Sequence, residues 1–175
     1  MGASRGGKPM AGKTDFTPEE WTTLLESAMM AGLAVTAADP SGLWGTLKES
    51  MASARAVIGA KHDANATELI KAIAGEFETG DGRAAARDGL RTQLSGKTPP
   101  EIVAKSLEIL KQAAAIVGTK APADAAAFKA WLQHISQVVA EASTEGGFLG
   151  FGGVTISDAE KATLAQISSS LGLAA

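Results

Sequence analysis

The sequence has no cysteine, no tyrosine and only two histidines, and aromatic residues make up 5% of its 175 positions. Without cysteine, disulfides, thiolate nucleophiles and cysteine-ligated metals are excluded. Two histidines are too few for a histidine-rich metal centre. β-Branched residues nowhere alternate with polar ones over a strand's length, so the signature of a half-buried sheet is missing. A membrane span needs ~20 apolar residues, whereas twelve residues separate Glu26 from Asp39 around the most apolar stretch. The first residues lack the apolar core of a secretory signal. Position 6 is Gly6, where a myristoylation site has Ser or Thr. With a net charge of −3 and its charges well mixed, the chain offers no basic surface for nucleic acid. The expectation left by these absences is a cytoplasmic protein with no transmembrane segment.

What is present is alanine-rich and apolar. A chain of this length that is 45% hydrophobic can build one domain around a sizeable core. Its centre is the uncharged run from Ala28 to Ala38, led in by Trp21, Leu24 and Leu25. Met29, Met30, Leu33 and Val35 point in different directions around a helical wheel, which predicts a helix covered on most sides. Its small residues let neighbouring backbones come close. Gly32 costs roughly 1 kcal/mol against Ala inside a helix, and a tight helix crossing would offset that.

The fold class read from the pattern is all-α, a single-domain bundle of about six helices over residues 15–175. Residues 1–14, with Arg5, Lys8, Lys13 and four glycines, read as a flexible basic tail. Thr17 with Glu20 forms a capping box behind Pro18, and Phe16 and Trp21 suit a hydrophobic staple, so the first helix should run from Pro18 to Ala38. Asp39 to Gly42 reads as a turn. Trp44, Leu47, Met51, Ala54 and Ile58 then form a narrow seam on a second helix ending at Gly59 to Ala64. Asn65 with Glu68 suggests a further cap, before a short helix with Leu69, Ile70, Ile73 and Phe77 on one face. Thr79 to Gly82 reads as a break, and Arg83 to Leu94, alternately basic and small with Gly89 inside, as one or two helical turns. Thr98 with Glu101 starts a helix carrying Val103, Leu107, Leu110, Ala114 and Val117, with Ile102, Ile109 and Ile116 widening the stripe, which Gly118 should end. Pro122 opens a helix to about Ser143, with Phe128, Trp131, Leu132, Ile135, Val138, Val139 and Ala142 along one stripe. Ser157 with Glu160 caps a last helix that buries Leu164, Ile167 and Leu171.

Few places could carry chemistry. His62 with Asp63 reads as a surface pair, and His134 as a packed, hydrogen-bonded histidine beside Trp131 and Val138. Glu76, Glu78 and Asp81 form a small acidic cluster without EF-hand spacing. No serine sits in a nucleophile elbow, and Met29, Met30 and Met51 fall on core positions. No catalytic, cofactor-binding or metal-ligating residue is assigned, and no cofactor is expected; the chain reads as non-enzymatic.

The unusual segment is the loop Gly146 to Gly153, where Phe148, Leu149 and Phe151 sit among glycines. It lacks the Lys and Ser or Thr of a phosphate loop. The loop could plug the end of its own bundle, its glycines permitting tight bends. Alternatively, the three apolar side chains could dock on a partner, a lipid surface or a hydrophobic ligand, since exposed apolar groups are a liability unless covered. The resulting expectation is an interaction module, a homo-oligomer or a binder of a protein partner, with Phe148, Leu149 and Phe151 in the contact. The alternative is a carrier or sensor whose loop lids an apolar cavity between the helices starting at Pro18 and Pro122.

Two stretches resemble a known family: AGLAVTAADPSG at Ala31 to Gly42 followed by Lys48-Glu49, and GGVTISDAEKATLAQISSSLGL at Gly152 to Leu173. They are similar to the two ends of tellurite-resistance TerB-like domains, small all-helical bundles. The resemblance implies a helical fold and a link to metal stress. Asp39 is followed by Pro40 and lies ten residues before Glu49, so the family's acidic metal site is not carried over. The chain also resembles small helical proteins of bacteria.

Overall fold

The computed structural model describes residues 11–38, 52–144 and 156–173. Among them the fold is all-α. A 3-10 turn, Lys13–Asp15, precedes α1 (Pro18–Ala38); α2 (residues 52–59) leads into a second 3-10 turn, Ala60–His62. Then follow α3 (Glu68–Glu76), α4 (Gly80–Leu94), α5 (Pro99–Lys120), α6 (Ala125–Thr144) and α7 (Asp158–Ser170).

The first helix is the axis. It packs mainly on α5 and then on α6, and touches α3, α4 and α7 as well. Its capping box is formed: Thr17 N–H donates to Glu20 Oε2 at 2.8 Å and Glu20 N–H to Thr17 Oγ1 at 3.2 Å. Phe16 and Trp21 close the staple, their rings 5.9 Å apart and both buried. Leu24, Leu25, Ala28, Met30, Ala31, Ala34 and Val35 are all sealed from solvent, which only a helix with neighbours on several sides can achieve. Small residues permit the close approaches. Ser136 Oγ on α6 donates to Ala31 O at 2.9 Å, and Ser106 Oγ on α5 lies 3.3 Å from Met30 Sδ. A Cβ on Gly32 would lie 2.6 Å from Ser53 Oγ on α2 and 3.2 Å from Val139 on α6, so the expected tight crossing is there.

Phe128, Trp131, Leu132, Ile135 and Val139 of the α6 stripe are buried, with Ala140 added, while Val138 and Ala142 are half-buried. In α3, Leu69, Ile70 and Ile73 face the core and Phe77 follows at its C-cap. Capping boxes start α5 at Thr98 and Glu101 and α7 at Ser157 and Glu160. Ile167 and Leu171 are buried on α7, and Leu164 is half-buried.

Several local expectations are corrected. Residues Ala11 to Thr14 belong to the folded unit rather than to a tail: Ala11 is buried, and Lys13 pairs with Glu76 of α3 at 2.6 Å. The cap of α3 is Thr67, whose Oγ1 accepts from Ile70 N–H, not Asn65. Residues 80–94 form one continuous helix instead of a break followed by one or two turns, because Thr79 Oγ1 accepts from Gly82 N–H at 2.9 Å and starts it. Gly118 does not end α5, which runs to Lys120. On α5 Ile109, Leu110, Ala114 and Val117 are buried as expected, but the buried face also takes in Ser106 and Ala113 and leaves Val103 and Leu107 half-buried. In α2, Val57 is the buried residue while Ala54 is exposed. The turn at Asp39 to Gly42, the residues Trp44, Leu47 and Met51, and the whole Gly146 to Gly153 loop lie outside the described residues.

Candidate functional site

One face of α1 escapes burial. Met29, Leu33 and Thr36, spaced four and three residues apart, are half-buried, although every other apolar position from Leu24 to Val35 is closed off. These three line a cleft of about 520 Å³ whose far walls are α2, Phe77 and α4. Ala54, Val57 and Ile58 supply the α2 wall and Leu90 the α4 wall. Gly32 forms the floor where α1 and α2 meet, and its lack of a side chain is what lets Ser53 come so near.

The fourth helix is held in place by a tight joint. After α3, Thr79 Oγ1 donates to Glu76 O at 2.8 Å and accepts from Gly82 N–H. A Cβ on Gly82 would stand 2.2 Å from Glu76 O, so only glycine fits the joint. The chain then turns back, and Arg83 Nη1 donates to Phe77 O at 3.1 Å and Glu78 O at 3.0 Å. It thereby satisfies carbonyls that the end of α3 leaves open. Arg87, one turn further, stands on the same side and lines the cleft with Arg83. Among the described residues no carboxylate lines the cleft, and their polar side chains on its walls are the Thr36 and Ser53 hydroxyls and the two guanidiniums. Thr36 Oγ1 is turned back on its own helix, donating to Gly32 O at 3.4 Å.

A second cavity, about 540 Å³, lies near Lys13, Trp21, Glu76 and Asp81. Its lining is mixed in charge, and Lys13 and Glu76 already pair across it.

The titratable groups are dispersed. Glu26 on α1 is buried, 4% exposed, with its carboxylate against α4: a Cβ on Gly89 would lie 2.2 Å from Oε1. Burial pushes the Glu26 carboxyl above the ordinary glutamate value, and the charge of Lys105 opposes the shift only in part. The acidic cluster is split between partners. Glu76 takes Lys13, while Glu78 takes Lys61 and lies 3.8 Å from His62; the Lys61 hydrogen bond holds Glu78 below the usual range. His62 is on the surface, as expected. His134 is exposed instead of packed, because its position on α6 falls outside the buried stripe. Ser27, Ser106 and Ser136 are buried and bonded to backbone carbonyls or to Met30 sulfur. Among the described residues no three His, Asp or Glu side chains gather into a metal-binding group. No helix of the described residues is long and apolar enough to cross a membrane.

Phe148, Leu149 and Phe151, singled out in the sequence, lie outside the described residues. The cleft was not singled out. Its signal was present in the arginines at 83 and 87, which share a helical face with Leu90 once 80–94 is read as one helix. The expected apolar cavity lay between the helices starting at Pro18 and Pro122; the cleft uses the first of these but is closed by α2 and α4 instead. Compared with protein-family models, curated proteins and solved structures, the chain matches none.

Proposed function

We propose that the protein is a non-enzymatic binding module that takes an apolar ligand into the cleft between α1, α2 and α4. The carrying observation is the cleft's lining: Met29, Leu33, Ile58, Phe77 and Leu90 face a space of about 520 Å³. Small-molecule sites occupy roughly 300–1,000 Å³ and are mostly apolar with a few polar groups. Removing apolar surface from water contributes about 25 cal/mol per Å², so a ligand covering these side chains gains affinity without chemistry at the site. A helix as apolar as α1 has no need of an open face for its own folding, and the half-buried Met29 and Leu33 are what a ligand would cover.

The test uses N-phenylnaphthylamine, an uncharged dye that brightens in apolar surroundings. It should bind the wild type at one site. Ala54 is exposed yet lines the cleft, so Ala54→Trp should fill the space and weaken dye binding while leaving the melting temperature nearly unchanged. Absent dye binding, or equal binding by the variant, refutes the reading.

Self-association through Phe148, Leu149 and Phe151 is a separate proposal resting on composition. Replacing Phe148 and Phe151 with Ser should reduce the mass seen by light scattering if it holds. An unchanged mass with a destabilised fold would make the phenylalanines core residues.

A further inference from the structure

We infer that the ligand of this cleft is an anionic amphiphile of the long-chain carboxylate class, its chain along Met29, Leu33 and Leu90 and its head on Arg87. The inference rests on the reading of the cleft as an apolar binding site and adds to it the charge of the occupant.

Charge complementarity carries it. Among the described residues, the ionisable side chains lining the cleft are both arginines. Arg83 is partly committed, since its Nη1 closes the carbonyl end of α3. Arg87 forms no ion pair among the described residues. Its neighbours three and four residues away along α4 are Arg83, Ala84, Leu90 and Arg91. Like charges a turn apart oppose one another, and here no acidic residue of the same helix face relieves them at Arg87. An arginine that served only solubility would gain from an acidic neighbour at that spacing. The guanidinium instead presents a planar donor fork matched to a carboxylate, beside an apolar trough and with no competing anion among the described residues that line it. An uncharged ligand would leave the fork unused, and a cationic one would be repelled.

The experiment displaces N-phenylnaphthylamine from the full chain with dodecanoate, dodecanol or dodecyltrimethylammonium, each below its micelle concentration. In the wild type dodecanoate should compete roughly five- to tenfold better than dodecanol, the factor one charge-assisted contact at a partly solvated rim supplies. Dodecyltrimethylammonium should be the weakest competitor. In Arg87→Gln the ratio of dodecanoate to dodecanol competition should fall to about one, each measured against that variant's own dye affinity, and Arg87→Lys should retain part of the advantage. Equal competition by dodecanoate and dodecanol in the wild type, or an advantage that survives Arg87→Gln, overturns the inference while leaving the apolar site standing. Failure of the dye itself to bind overturns the site. Binding to vesicles of anionic phospholipid without competition by dodecanoate would assign the arginines to a membrane surface, and would overturn the inference as well.

Discussion

Adding a single methyl group at Gly82 should damage the protein more than its size suggests. In the joint between α3 and α4 an alanine Cβ would stand 2.2 Å from Glu76 O, 2.7 Å from Glu76 C and 2.8 Å from Thr79 Oγ1. Two of these three atoms are backbone, so no side-chain rotation relieves the clash. Either α3 loses its last turn or α4 moves outward. Overpacking of this kind costs typically 1–3 kcal/mol. Displacing Thr79 from Gly82 N–H adds about 1 kcal/mol for a lost cap. The better helix propensity of alanine returns at most ~1 kcal/mol. The net expectation is a loss of about 1–3 kcal/mol, or roughly 2–12 °C in melting temperature at ~2–4 °C per kcal/mol for a chain of this size. Thermal unfolding followed by far-ultraviolet circular dichroism reads it directly. Gly118→Ala is the matched control: nothing lies within 4 Å of its added Cβ, so it should gain about 0.4–1 kcal/mol. Because the same joint places the apolar α4 wall at Leu90 against the cleft, Gly82→Ala should also weaken dye binding. A Gly82→Ala protein as stable as the wild type would refute the account of the joint.

Gly32→Leu should cost roughly 1–3 kcal/mol by overpacking the crossing of α1 with Ser53 and Val139; an unchanged melting temperature would show that the helices are not in contact there. Glu26→Gln should raise the melting temperature at pH 7, because the native state holds the Glu26 proton more tightly than the unfolded chain does. The wild-type penalty is complete above the raised native pKa and fades as pH falls toward the ordinary 4.5, so the gap between the two proteins should close there. A gap constant with pH would contradict that sign. Glu101→Gln should behave oppositely. Glu101 accepts from Thr98 Oγ1 at 2.6 Å and from Thr98 N–H, which lowers its pKa, so its contribution is present above 4.5 and lost as pH falls through the lowered value. The variant should melt earlier at pH 7 and match the wild type in acid.

Helices with a cap and an apolar stripe were legible because both signals are local. Thr17, Pro18 and Glu20 mark the start of α1 without reference to anything distant, and Phe128 to Val139 mark the buried side of α6. Glycine misled where its reason was tertiary. Gly82 and Gly89 look like breaks in a sequence, yet each is a close approach, one to Glu76 O and one to the Glu26 carboxyl. Read as breakers, they divide α4 and hide the face shared by Arg83, Arg87 and Leu90. The cleft was hidden for a related reason. Met29 and Leu33 are as apolar as Met30 and Val35, and composition cannot say which side of α1 lacks a neighbour. That depends on where α2 and α4 lie, which is set by contacts between residues far apart in the chain.

The difference between Met29 and Met30 provides the most direct measurement. Met30 is fully buried and lies against Ser106, whereas Met29 is half-buried and lines the cleft. With ¹³C-methyl-labelled methionine, and peaks assigned from Met29→Leu and Met30→Leu variants, dodecanoate should be titrated into the full chain. The Met29 methyl signal should shift and saturate with the same dissociation constant as dye displacement, while the Met30 signal stays nearly still. Saturating binding that leaves the Met29 signal unmoved would contradict the claim that this cleft is the binding site.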